Sequence, residues 1–123
     1  MTQSETDAAA VRAFPELRHL ITLRDGGWRF LPAPHVGGVP VRIDGFREYP
    51  GHWDAIRVES PVDVLGIRMT RENPPGLVWE RTGSLGEVVT ELALLPPPDH
   101  RLAPYLVTGT APLLVPGHLE PAR

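Results

Sequence analysis

The chain contains no cysteine and no lysine. The first absence excludes a disulfide framework, a thiolate nucleophile and a cysteine-ligated zinc. The second removes the amine of a phosphate-binding P-loop, so Gly26-Gly27 and Gly37-Gly38, which also lack the dinucleotide fingerprint, read as turns. All 12 basic residues are arginine. With abundant Ala, Gly and Pro beside it, this pattern is what a GC-rich coding sequence produces, and needs no special demand for the guanidinium fork. No apolar run approaches the ~18 residues that span a membrane. Residues Met1 to Ala10 lack the basic and apolar regions of a secretory signal. The expectation is a cytoplasmic protein without membrane attachment. A formal charge of −3 lacks the basic surplus of a general nucleic-acid binder.

What is present suits one hydrophobic core. At 123 residues and 41% hydrophobic content, the chain reads as a single domain, with loose tails over about 1–7 and 117–123. The 15 prolines lie in short groups along the chain and so mark stops between short elements.

A helical pattern runs to Arg24, with Phe14, Leu17, Leu20 and Ile21 on one face and Pro15 opening or kinking it. Short alternating segments follow: Trp28/Phe30, then Val39/Val41/Ile43, Ile56/Val58, and Leu65/Ile67/Met69. Pro40 makes the second an edge strand. After the Asn73-Pro74-Pro75-Gly76 turn, Leu77 and Trp79 are expected to point inward together. Ser84 and Glu87 form a capping box for a helix carrying Leu85, Val88, Val89, Leu92 and Leu95 on one face, stopped by Pro96. Tyr105 to Thr110 is expected as a last strand, with Leu113 to Val115 packing after it. The fold class predicted is α+β: an N-terminal helix, an antiparallel sheet of about five strands with one buried face, and the capped helix packed on that face.

Catalytic signatures are missing. The five histidines form neither an HxH pair nor an H-E-x-x-H motif, and Ser4, Ser60 and Ser84 lack a nucleophile elbow. His52 and Asp54 are the nearest approach to a metal pair, but no spacing supplies a third ligand, so no metal, cofactor or catalytic residue is assigned. Two constellations remain. Phe46, Arg47, Tyr49, His52, Trp53 and Asp54 lie in a Gly/Pro-framed loop and supply the flat walls and directional groups of a small ligand pocket. Equally, the aromatics can lid the core. Arg42, Arg57 and Arg68 are predicted on the sheet's outer face, where they form a surface for an acidic partner or pair with Asp44 and Glu59.

Gly27-Trp28-Arg29-Phe30-Leu31-Pro32, Gly45 to Gly51, and Leu77 to Leu85 running on to Leu94-Leu95-Pro96 resemble a family of small uncharacterised proteins of GC-rich actinobacteria. The resemblance covers roughly residues 14 to 115. It implies a cytoplasmic single domain of actinobacterial origin, and carries over no active-site residue. The residues favour a non-catalytic interaction or regulatory protein with a protein partner, an immunity protein being one version by analogy of size and charge. The alternative is a small-molecule-binding domain or modest enzyme built on the loop 46–54. Oligomeric state is left open, though Pro40 disfavours edge-to-edge pairing on its strand.

Overall fold

A computed structural model describes residues 8, 12, 15–37, 39–112 and 114. The expected tails over 1–7 and 117–123, together with Phe14, Leu113 and Val115, lie outside the described residues. Helix α1 spans Leu17–Asp25, and Pro15 precedes it, accepting from the Arg18 N–H at 3.3 Å. Its buried residues are Leu20 and Leu23, while Ile21 is only half-buried. Gly26 ends it by donating to the carbonyls of Thr22 and Leu23, and Gly27 follows at φ 99°, a left-handed value that glycine adopts without strain.

Eight short strands follow in chain order: β1 (Arg29–Phe30), β2 (His35–Val36), β3 (Val39–Pro40), β4 (Ile43–Glu48), β5 (His52–Ser60), β6 (Asp63–Thr70), β7 (Gly76–Gly83) and, after helix α2 (Leu85–Leu94), β8 (Gly109–Thr110). Six of them make one antiparallel sheet in the order β1-β4-β5-β6-β7-β8, one strand more than the sequence pattern suggests. The class is α+β, as expected. Residues 39–44 do not form one edge strand: β3 pairs with β2 in a separate hairpin, and β4 starts at Ile43.

The sheet is buried on both faces, not on one. Ile56, Val58 and Val64 meet Leu20, Leu23 and Trp28 on one side, together with Leu85, Val88, Val89 and Leu92 of α2. On the other, Phe46, Ala55, Ile67 and Met69 are covered by Ala111 and Leu114. Fully burying an aliphatic side chain such as Leu92 contributes about 1.5–3 kcal/mol. Helix α2 sits close because Gly66 has no side chain: a Cβ there would lie 2.8 Å from Val88 Cγ1 and 3.2 Å from Leu92 Cδ1. The predicted cap is present, with the Glu87 N–H donating to Ser84 Oγ at 3.3 Å and the Ser84 N–H to Glu87 Oε1 at 3.1 Å.

Two further expectations are corrected, one about side-chain direction and one about strand length. The β6–β7 register shifts at Arg68/Met69, so Leu77 packs in the second core and Trp79 against the first, with Val78 buried between them. An extra residue in one strand reverses the parity that follows it. The last strand is also shorter: only Gly109–Thr110 pairs with β7, while Tyr105, Leu106 and Val107 stay exposed. Among the described residues no helix is long and apolar enough to cross a membrane.

Candidate functional site

Residues 46–54 form a tight hairpin, not an open loop. β4 and β5 pair from Glu48↔Trp53 inward, and the Tyr49 N–H donates to the His52 carbonyl at 2.9 Å across Pro50-Gly51. The six loop candidates therefore follow strand parity and do not share one wall. Phe46 and Trp53 stack edge-on at 5.4 Å in the second core. Arg47 and Asp54, cross-strand partners, lie on the face covered by the helices.

There they meet Arg68, also brought by register, since Asp54 pairs with Arg68 across β5 and β6. Arg68 donates Nε to Asp54 Oδ1 at 2.6 Å, Nη2 to Oδ2 at 2.9 Å, and Nη1 to the Pro96 carbonyl at 2.5 Å. Arg47 Nη2 adds a third bond to Asp54 Oδ2 at 3.1 Å. The Tyr49 ring lies 5.1 Å from the Arg47 guanidinium carbon and 5.3 Å from that of Arg68, and Trp28 stands 5.4 Å from Arg47. Two cations on one carboxylate leave a surplus positive charge, which the negative faces of these rings help to hold. The Asp54 carboxylate is taken up by guanidinium donors and has little capacity left for metal ligation or proton transfer. His52 stands beside this cluster. Burial, and then the charge of Arg68, hold its imidazole below its ordinary pKa, against the opposing pull of Asp54 and Glu72. Among the described residues no group of three or more His, Asp or Glu side chains could hold a metal.

The second arginine set separates. Arg57 donates Nε to Asp44 Oδ1 at 2.6 Å, and Arg42 Nε reaches Asp44 Oδ2 at 3.0 Å. Arg57 pairs with Leu65, on the face of Phe46 and Ile67. Arg68 does not share their surface; it is fully buried on the opposite face. Taking Ile67 as the marker of a single core sent Arg68 to solvent, an inference that fails in a sheet with two cores.

What the surface offers instead is a groove. A hollow of about 550 Å³ lies between α2, β7 and residues 102–108, lined among others by Trp79, Leu94, Leu102, Tyr105 and Leu106. A neighbouring hollow of about 430 Å³, lined by Arg81, Glu87 and Thr90, shares Glu91 and Leu94 with it. These residues were not singled out from sequence. The available signals were weak: Leu94 falls off the face set by Leu85, Val88 and Leu92, and Tyr105-Leu106-Val107 is an apolar run without alternation. No family model matches the chain, and no curated protein or solved structure is significantly similar to it.

Proposed function

We propose that the protein is a non-catalytic interaction domain that binds a protein partner through the groove between α2, β7 and residues 102–108. One observation carries this reading: Leu94, Leu102, Tyr105 and Leu106 are 66–77% exposed and line the same groove. Each such group left in water forgoes about 1.5–3 kcal/mol that burial would return. A contiguous exposed apolar patch on a folded domain marks a contact surface.

The polar clusters support a partner-binding role over chemistry. Asp54 and Asp44 are each held by two arginines, which leaves no free carboxylate paired with a base or nucleophile there. The net charge of −3 disfavours phosphate-rich partners.

The test is a selection of phage-displayed peptides on the full chain, with recovered peptides measured by calorimetry. Leu102→Asp and Tyr105→Asp should each weaken binding by about tenfold or more. Arg57→Ala, on the opposite face, should leave it unchanged. Peptides that bind both aspartate variants as tightly as the parent chain would remove the groove as the contact surface.

A further inference from the structure

β7 is an inner strand for only part of its length. β6 pairs with it from Leu77 to Gly83, whereas β8 covers only Gly76 and Leu77 on the other side. Among the described residues no strand pairs with residues 78–83 on that side. An edge of this length presents outward N–H and C=O groups that can template another chain. The groove follows the same edge: the hollow beside Val78 and Trp79 continues into the hollow beside Arg81 through the shared wall of Glu91 and Leu94.

Building on the groove as the contact surface, we propose that it receives an extended basic segment of a partner protein, added to the sheet as a strand beside β7. Parity assigns the guest's side chains. Trp79 and Arg81 are paired with Arg68 and Gly66 on the face covered by α2, whereas Glu80 is paired with Ile67 on the other face. Alternate guest residues thus meet Leu94 and Leu102, where apolar side chains fit. The residues between them pass the exposed carboxylate of Glu80. Glu91 puts another exposed carboxylate on the α2 side of the groove, beside the apolar guest positions and apart from Glu80, while Arg81 is held by Glu87 at 3.3 Å. The edge is acidic and selects Lys or Arg.

A second copy of this chain is a poorer guest. A two-fold antiparallel pairing centres on one residue set against itself. Centred on Glu80 it opposes two carboxylates, and centred on Arg81 two guanidiniums; like charges directly opposite destabilise a strand pair. Registers centred nearer Leu77 run into β8.

The probe is an acetylated, amidated octapeptide of alternating valine and lysine, titrated into the full chain by calorimetry. Methylating alternate backbone amides removes strand hydrogen bonds while keeping the side chains, and should weaken binding by about tenfold or more. The matching valine–glutamate peptide should bind more weakly than the lysine peptide, and Glu80→Lys should reverse that preference. Equal binding of both methylation isomers (odd and even amides) and the parent peptide overturns strand addition, and so does an unchanged lysine preference in Glu80→Lys. If peptide binding in those cases is still lost in Leu102→Asp, the groove remains the contact surface. If it is not, both readings fall.

Discussion

Arg68 and Asp54 face each other across β6 and β5 with neither side chain in contact with water, Nε to Oδ1 at 2.6 Å and Nη2 to Oδ2 at 2.9 Å. A buried bidentate pair of this kind is expensive to break from one side, because the remaining charge has no water to turn to.

Arg68→Ala or Asp54→Ala should therefore lower the unfolding free energy by about 3–5 kcal/mol in urea titrations. Arg68→Met combined with Asp54→Leu should lose less than the two alanine variants together, since no fully buried charge is stranded and Arg47, which also loses Asp54, keeps a quarter of its side chain in water. Arg57→Ala, whose side chain is 27% exposed beside Asp44, should cost clearly less than Arg68→Ala. Equal losses at the two arginines would show that the Arg68 pair is not sealed from solvent.

Gly66 sets the distance between α2 and the sheet. A methyl at this position meets Val88 Cγ1 and Leu92, so Gly66→Ala should destabilise by about 1–3 kcal/mol. Shortening Val88 to Ala in the same chain should recover part of that loss. Additive losses in the double-mutant cycle would disprove the contact.

The cap of α2 should behave as a separable term. Ser84→Ala should cost about 1 kcal/mol, read from thermal or denaturant unfolding. Hydrogen bonds from the Ser84 side chain and then its backbone hold the Glu87 carboxyl below its ordinary value of 4.5. Its contribution is present above that value and is lost as the pH falls through the lowered folded value. Glu87→Gln should accordingly flatten the stability profile below pH 4.5. An unaltered acid limb in that variant would place the loss elsewhere.

His52 predicts a second, higher window. Burial and Arg68 depress its folded pKa below 6.5, so the folded state binds fewer protons than the unfolded one. Stability should be fully retained above pH 6.5 and decline as the pH falls toward the lower folded value. His52→Gln should remove the decline in this window and leave the more acidic one, assigned to Glu87, in place. Nuclear magnetic resonance titration of the imidazole gives the direct check, and a value at or above 6.5 would refute it.

Local rules were legible in the chain wherever one residue's chemistry sufficed. Ser84 and Glu87 announce a helix start because a hydroxyl and a carboxylate three apart satisfy orphan N–H groups without help from the rest of the fold. Gly26 behind Arg24 marks the end of α1 in the same way. The alternation in β5 and β6 revealed strands, and the α+β class followed.

The faces were another matter. Alternation says which residues point together, but not how many faces are covered, and here α1 and α2 cover one while Ala111 and Leu114 cover the other. That choice buried Arg68 and set it against Asp54, whose numbers differ by 14. A register shift of one residue divided Leu77 from Trp79. The groove likewise runs where β8 covers just Gly76 and Leu77, and among the described residues no strand pairs with the rest of β7 on that side. The absence of cysteine and lysine, the capped helix and the strand segments were determined by the sequence itself, through composition and contacts near in the chain. The pairing of Arg68 with Asp54 and the open edge of β7 were decided by the tertiary structure, because both depend on which distant segments cover which face and edge of the sheet.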